Sequence, residues 1–161
     1  MQIGVVGATI LDSMSDLFSG KAVGRLATPM PDGSPRVTPV WVDRGGDLIL
    51  VNTTKGRSKD RNMRARATVA LEFADPGNPN RYVALRGEVV RVREGGDDPI
   101  ARRAKRYLGQ DKYPYRHPGE VRVVIAIRPE RVLTFAQVGA AAQRRIRCPG
   151  GTRHRKRFSA F

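Results

Sequence analysis

The chain has 161 residues, and 30 Lys and Arg against 15 Asp and Glu give it a net charge of +15. This length suits one domain with a modest core, and the charge favours anionic ligands over cationic ones. No apolar run is long enough for a membrane span, the N-terminus lacks the basic region of a signal peptide, and the single cysteine excludes an intrachain disulfide. These features predict a cytoplasmic protein that does not bind membranes.

Apolar spacing predicts two or three helices and about six strands. Residues 8–18 carry apolar side chains at helical spacing, and Gly20 ends that segment. Residues 97–108 show the same spacing, and a short helix is expected in the second half of the polar segment 53–67, with Ser58 as its N-cap. The predicted strands are the β-rich runs 22–28, 36–43, 48–52, 68–74, 81–94 and 121–135.

The turns between the first strands are short. Asp32-Gly33 separates the first two strands, and Gly45-Gly46 separates the next two, which is typical of hairpins. Strands joined in this way form an antiparallel meander, and with a few helices they fit a closed or nearly closed barrel. The fold class predicted from these patterns is mainly β, with about six antiparallel strands.

Residues suited to acid–base, metal or nucleotide-triphosphate chemistry are scarce. The two histidines, His117 and His154, are far apart, and Cys148 has no neighbour with which to form a metal site of normal spacing. No Walker loop is present, and no G-x-G-x-x-G follows a strand. A cofactor enzyme needs only to bind, orient and tune its cofactor, so this absence is compatible with one. No catalytic residue and no metal ligand is assigned.

The strongest local signal is the segment 52–62, with the sequence NTTKGRSKDRN. A strand ends there, hydroxyls and cations gather, and a helix begins. Unpaired N–H groups at a helix start, with Arg and Lys beside them, suit a phosphate. The alternative is a solvated basic turn, and composition alone does not separate the two.

Pro39 interrupts the strand sequence VTPVWV, residues 37–42. Because proline removes a ladder donor, this strand is expected at an edge, or facing something other than a neighbouring strand. Its backbone groups could then bond a planar ring. The alternative is an ordinary edge strand with Trp41 in the core.

Four segments, in this order, resemble the pyridoxamine-phosphate-oxidase-like split β-barrels, and most closely their deazaflavin-dependent branch. The resemblance covers roughly residues 8–135. It is carried by the elements G-x-L-A-T, D-G-x-P, P-V-W-V and K-x-R-N in fixed order, within residues 24–43, 48–71, 78–89 and 112–132. It implies a six-stranded FMN-binding split barrel and a homodimer with two cofactor sites at the subunit interface.

The resemblance also implies a set of cofactor residues. A phosphate would be held at the start of the predicted helix, the ring would lie along the Pro39 strand, and one pair of residues would approach from the partner subunit. The first group is Arg57 and Lys59 with Thr53 and Ser58, the second is the backbone of Thr38, Pro39, Val40 and Trp41, and the third is Arg81 and Tyr82. Lys55 and Arg61 would add charge toward the long anionic side chain of a deazaflavin, and Asn52 completes the set.

The expected function is an oxidoreductase that uses reduced coenzyme F420 to deliver hydride to an unsaturated small organic substrate. One alternative is an FMN-binding reductase or flavin carrier on the same fold. Another is a basic nucleic-acid-binding protein, which is not favoured because no aromatic cluster is interleaved with the basic residues. Pyridoxamine oxidation itself is not expected, because such enzymes carry a longer C-terminal segment with a Trp. Loop packing is the favoured role for Tyr107, Tyr113 and Tyr115; covering the substrate side of the ring is the alternative.

The last segment, residues 136–161, differs in composition from the rest. It holds seven of the 30 Lys and Arg residues and none of the 15 acidic ones, so residues 1–135 carry 23 against 15. Like-charge segments with little apolar content are usually disordered. The sequence therefore predicts a cofactor-binding domain over residues 1–135 and a basic, disordered tail over 136–161.

Overall fold

The structure is a computed structural model of the chain, and it describes residues 2–6, 10, 12–95 and 97–136. The predicted tail lies outside the described residues, except for Ala136, which ends the last strand. Within the described part of the chain, no helix has both the length and the apolar character needed to cross a bilayer.

Strands dominate the described chain, and three short helices accompany them. The strands are β1 (Gln2–Val6), β2 (Val23–Pro29), β3 (Pro35–Gly45), β4 (Leu48–Thr54), β5 (Thr68–Asp75), β6 (Asn78–Glu94) and β7 (Arg122–Ala136). The helices are α1 (Asp16–Ser19), α2 (Ser58–Ala65) and α3 (Asp97–Leu108), and a 3-10 turn spans Asp12–Met14. The predicted bounds of α3 are confirmed. The bounds of the six predicted strands agree with those of β2 to β7 to within a few residues at each end.

Six antiparallel strands close into a ring in the order β7-β4-β3-β2-β5-β6, and β6 pairs back to β7. The remaining strand, β1, pairs with the second half of β7, from Gln2 opposite Ala136 to Val6 opposite Val132. The predicted six-stranded antiparallel split barrel is therefore confirmed. The sequence patterns did not predict β1.

Alternating side chains fill the interior of the ring. Strand β2 shows the period of two expected of a strand with one buried face, since Leu26 is buried and its neighbours are more exposed. The core also includes residues from α1 and α2. Its fully buried apolar side chains include Leu26, Val42, Ile49, Val51, Leu71, Phe73, Val83, Val123, Ile125 and Ile127.

Strands β3 and β4 pair with each other over only part of their length, and the barrel is split where this pairing ends. They pair over Val42–Gly45 on β3 and Leu48–Val51 on β4. Before Val42, β3 keeps β2 as its partner, whereas β4 beyond Val51 continues beside β7. A groove therefore opens between the first half of β3 and the end of β4, next to the start of α2.

Two local predictions need correction. In its described part, the helix predicted over residues 8–18 is a 3-10 turn followed by the four-residue α1, although Gly20 does end α1. The predicted N-cap Ser58 is the first helical residue, and Arg57 is the cap. No side-chain hydrogen bond caps α2 at Arg57; the Asp60 carboxylate instead accepts from the Gly56 N–H just before the helix, at 2.8 Å.

Candidate functional site

The groove between β3 and β4 has a cavity volume of about 200 Å³. Apolar and aromatic side chains form its walls, and cations lie at the end nearest the start of α2. The residues that line it are Val23, Pro39, Val40, Trp41, Asn52, Thr53, Arg57, Lys59, Ile100, Tyr113 and Arg122. The structure thus brings together the predicted residues of the Pro39 strand, of the end of β4 and of the phosphate loop.

The loop before α2 is held in a defined shape. Gly56 has φ +82, a backbone conformation that other residues rarely adopt, and it lets the chain turn sharply after β4. The buried carboxylate of Asp60 accepts hydrogen bonds from the Gly56 N–H at 2.8 Å and from Arg64 Nε at 2.9 Å. Asn62, also buried, donates to Thr28 Oγ1 at 3.1 Å. These contacts fix the start of α2 beside the groove.

Arg57 and Lys59 flank the start of α2 and both line the groove. Lys59 Nζ donates to the Pro39 carbonyl at 3.3 Å, so this cation reaches across to β3. Burial lowers the pKa of Lys59, and repulsion from Arg57 and Arg36 lowers it further. An anion in the groove would relieve that repulsion, because it would face several cations that now face one another.

Arg122, the first residue of β7, is a groove residue that the sequence reasoning missed. Its side chain is 3% exposed, its guanidinium carbon lies 4.4 Å from the centre of the Tyr113 ring, and its Nε lacks a hydrogen-bond partner among the described residues. The signal available in the sequence was a charged residue opening the apolar run RVVIAI. A buried arginine has to be paired, and Arg122 Nη2 donates to Glu120 Oε2 at 3.2 Å.

Glu120 connects the two arginines of the groove. Its Oε1 accepts from Arg57 Nη2 at 2.9 Å, while its Oε2 accepts from Arg122. Burial opposes ionisation of this carboxyl, but the His117 backbone N–H and the charges of Arg122 and Arg57 outweigh it and lower the Glu120 pKa. With Lys59, the end of the groove therefore holds three cations and one carboxylate.

Aromatic side chains form the opposite wall. Trp41 stacks on Tyr107 with ring centres 4.9 Å apart, and it meets Tyr113 edge-on at 5.8 Å. The Tyr107 hydroxyl donates to the Ala22 carbonyl at 2.5 Å, so Tyr107 supports Trp41 from behind. Of the three tyrosines named from the sequence, Tyr113 lines the groove, whereas Tyr115 is exposed.

The remaining predicted residues lie outside the groove lining. Thr38 adjoins Pro39, and its buried Oγ1 has no hydrogen-bond partner in the described ranges. Lys55 pairs with Glu94, while Arg61 donates to the Gly56 carbonyl and reaches Ser58 Oγ at 3.5 Å. The positive charges of Lys55 and Arg61 are thus directed to acceptors of the chain itself.

Arg81 and Tyr82 lie on β6, away from the groove of their own chain. Arg81 forms ion pairs with Asp16 at 2.6 Å and Asp75 at 3.2 Å, and Tyr82 stacks on Phe135 with ring centres 5.4 Å apart. Their expected approach to a partner's cofactor stays a prediction. In the single chain they connect α1, the β5–β6 hairpin and β7.

The chemistry open to this groove is recognition of a ligand with an anionic group and a planar or apolar body. Cations meet the anionic part, and the Trp41 and Tyr113 rings together with the Pro39 and Val40 region meet the body. No group of three or more His, Cys, Asp and Glu is placed to hold a metal ion in the part of the chain that the structure describes.

Comparisons with known proteins agree with this architecture. The family model described as pyridoxamine 5'-phosphate oxidase matches residues 10–136. A solved structure described as an F420 reductase is 30% identical, with a TM-score of 0.65 over 76% of this chain and 98% of its own. No curated protein matches the chain.

Two more distant structures share the fold. A conserved hypothetical protein from Mycobacterium tuberculosis is 19% identical, with a TM-score of 0.57 over 86% of this chain and 99% of its own. General stress protein 26 from Bacillus anthracis is 16% identical, with a TM-score of 0.56 over 77% of this chain and 92% of its own. At these identities, the likeness concerns the fold alone.

Proposed function

The chain belongs to the pyridoxamine 5'-phosphate oxidase family, and from that premise we propose that it is an oxidoreductase whose groove between β3 and β4 binds coenzyme F420. The family binds flavins or related cofactors. The F420 choice is supported by the 30% identity to the structure described as an F420 reductase. FMN is the alternative cofactor, and it would be held by the same residues.

One observation carries this proposal: a set of cations lies beside an aromatic and apolar wall in a single groove. The positive charge of this set exceeds its negative charge, because the three cations Arg57, Lys59 and Arg122 are accompanied by one carboxylate, Glu120. The site therefore attracts an anion. The buried Arg122 Nε has no partner among the described residues, and a phosphate oxygen could supply one. The residues present therefore fit a phosphorylated cofactor with a flat ring.

In this proposal, the residues of the chain bind and orient the cofactor. Arg57 and Lys59 hold the phosphate, and the Pro39–Trp41 backbone lines the ring. When bound and reduced, a deazaflavin or flavin supplies hydride to the substrate. Trp41 and Tyr113 shield one side of the groove from water, which strengthens the charge interactions within it.

We also propose that the active form is a homodimer. A cavity of about 200 Å³ is small beside the roughly 300–1,000 Å³ of most small-molecule sites, so a second wall is needed. A two-fold interface would supply it, with Arg81 and Tyr82 on the partner's side. Light scattering at micromolar concentration should then give about twice the chain mass. A monomer with full cofactor affinity would contradict the shared site.

Substitutions at the phosphate end test the cofactor assignment. A charged hydrogen bond contributes roughly 1.5–3 kcal/mol. Lys59→Ala and Arg57→Ala should therefore each weaken F420 and FMN binding by about ten- to a hundredfold. Arg57→Lys should recover part of the loss if the contact is bidentate. Fluorescence titration with each cofactor measures these affinities and also shows which one binds more tightly.

Arg91→Ala is the matched control, because Arg91 is an exposed cation on β6 outside the groove. It should leave both affinities unchanged. Raising the salt concentration should weaken binding less steeply in Lys59→Ala than in the wild type. If Lys59→Ala and Arg91→Ala bind both cofactors equally well, the start of α2 is not the phosphate site.

A further inference from the structure

Glu120 occupies the position between two arginines where an oxyanion would be expected. Arg57 Nη2 lies 2.9 Å from one carboxylate oxygen, and Arg122 Nη2 lies 3.2 Å from the other. A phosphate held between two guanidinium groups would present its oxygens in much the same way. The carboxylate thus takes the place of a ligand anion, supplied by the chain itself.

The two arginines and the carboxylate belong to parts of the chain with different anchoring. Arg122 opens β7, is buried and packs on the Tyr113 ring, so its guanidinium has a fixed position. Glu120 lies in the segment between α3 and β7, directly after Gly119, which has φ +78. The Glu120 side chain, outside any strand or helix, is free to turn away, whereas the buried Arg122 is held by its packing on Tyr113.

The charges at this end of the groove favour an exchange of anions. Arg57 and Arg122 share the Glu120 carboxylate, and Lys59 lines the same groove, so positive charge is in excess there. A phosphate monoester, as in FMN, carries more negative charge than a carboxylate, and any phosphate has more acceptor oxygens, including one for the unpartnered Arg122 Nε. Exchanging Glu120 for a phosphate therefore improves the charge balance.

We propose that Glu120 is a built-in competitor that fills the anion site formed by Arg57 and Arg122, and that a ligand phosphate displaces it. This inference rests on the proposed function, because it takes the groove to be the phosphate site of the cofactor. It assigns Arg122 to the binding site as the second arm of that site. Ligand entry is then coupled to rotation of the Glu120 side chain away from the two arginines.

Glu120→Gln tests the competition directly, since the amide has nearly the same shape and no charge. Inorganic phosphate is the first probe, titrated while the melting temperature is followed. Removal of the competing carboxylate should lower the half-saturating phosphate concentration by about two- to fivefold or more, because it ends a partly exposed ion pair with Arg57 and a buried one with Arg122. Glu88→Gln, which removes the same charge from the exposed pair with Arg128 outside the groove, should leave it unchanged.

Arg122→Lys is a second test of the anion site, and it retains the positive charge. It should raise the half-saturating phosphate concentration, because a lysine replaces a planar guanidinium by a single ammonium. If the variant does not fold, Glu120→Gln decides alone. A Glu120→Gln protein that binds phosphate no better than Glu88→Gln, or worse than the wild type, overturns the proposal, because the Glu120 contacts would then only support the fold.

FMN and riboflavin form the second pair of probes, since they differ only in the phosphate. Glu120→Gln should tighten FMN binding and leave riboflavin binding nearly unchanged; equal effects on both would overturn a competition for the phosphate. If the wild type binds none of FMN, riboflavin and F420 while Glu120→Gln still tightens inorganic phosphate, the cofactor proposal fails and the anion competition stands.

Discussion

Arg81 binds three acceptors from separate parts of the chain. Its guanidinium donates to Asp16 at 2.6 Å, to Asp75 at 3.2 Å and to the Ser13 carbonyl at 2.7 Å. Hydrogen bonding to Arg81 lowers the Asp16 pKa despite the opposing effect of burial. Since Asp16 and Ser13 belong to the N-terminal turns and Asp75 to β5, one side chain fastens those turns to the barrel.

Arg81→Gln should therefore destabilise the fold by about 1 kcal/mol at neutral pH, because two partly exposed ion pairs are lost. The folded Asp16 pKa lies below its ordinary value of 3.8, so this contribution is present above that pH and is lost as the pH falls through the folded value. Urea unfolding of the wild type and the variant at pH 7 and near pH 2.5 measures it. An equal difference at both pH values would assign the effect to packing.

The docking of α2 depends on a buried contact between polar side chains. Asn62 donates to Thr28 Oγ1 at 3.1 Å, and both residues are almost wholly buried. Asn62→Ala should cost about 1–3 kcal/mol, because the Thr28 hydroxyl loses its partner. It should also weaken cofactor binding, since the position of Lys59 depends on α2.

A double-mutant cycle with Thr28→Val isolates this contact. The two substitutions together should cost less than the sum of their separate effects, by about 0.5 kcal/mol or more, measured by chemical denaturation. Additive effects would show that the Asn62–Thr28 hydrogen bond does not position α2.

Strands β6 and β7 approach closely at Gly87, where their register shifts. A Cβ at this position would lie 2.5 Å from the Arg128 carbonyl oxygen, closer than two such atoms can approach. Gly87→Ala should therefore lower stability by roughly 1–3 kcal/mol through forced separation of the strands. Gly77→Ala, whose Cβ would meet only the Asp75 side chain at 3.4 Å, is the control. Equal melting temperatures for the two variants would contradict the close approach.

The elements that could be predicted from the sequence are those that nearby residues determine. The turn at Asp32-Gly33 and the helix α3 follow from turn residues and apolar spacing, and both occur where the patterns indicate. Strand β1 has no such local cause, because its residues form a strand by pairing with the second half of β7. In its described part, the segment predicted as one helix over 8–18 is broken for a related reason: Leu17 and Phe18 of the four-residue α1 are buried in the barrel core, and such tertiary packing overrides local helix propensity.

The residues of the candidate site likewise fall into those that could be predicted from the sequence and those that could not. Pro39 and the cations of segment 52–62 stood out because a proline in a strand and a basic turn are unusual locally. Arg122 and Glu120 did not, because their place in the site depends on the loop before β7 folding back onto the start of α2, where Glu120 meets Arg57. Arg81 was assigned to the partner's cofactor by the family resemblance, and this stays a prediction; its ion pairs with Asp16 and Asp75 depend on tertiary structure and could not be predicted from the sequence.

At the scale of the whole molecule, the ring of strands is complete at Ala136. Deleting residues 137–161, which lie outside the described residues, should leave the melting temperature and cofactor affinity unchanged, because the barrel closes without them. The deletion should reduce any affinity for nucleic acid, since it removes seven cations. Thermal unfolding, FMN titration and nucleic-acid titration at two salt concentrations measure the three properties. A loss of several degrees would mean that the segment packs on the barrel.

Strand β7 is the last strand of the barrel in sequence order, and it pairs with β6, β4 and β1. During synthesis, every strand before it leaves the ribosome while the ring is still open. The edges of β4 and β6 then expose unpaired backbone groups to other chains. Ring closure also joins residues far apart in the sequence, which slows folding. The interval between synthesis of α3 and of β7 is therefore the time at which a nascent chain is most prone to aggregate and most in need of a chaperone.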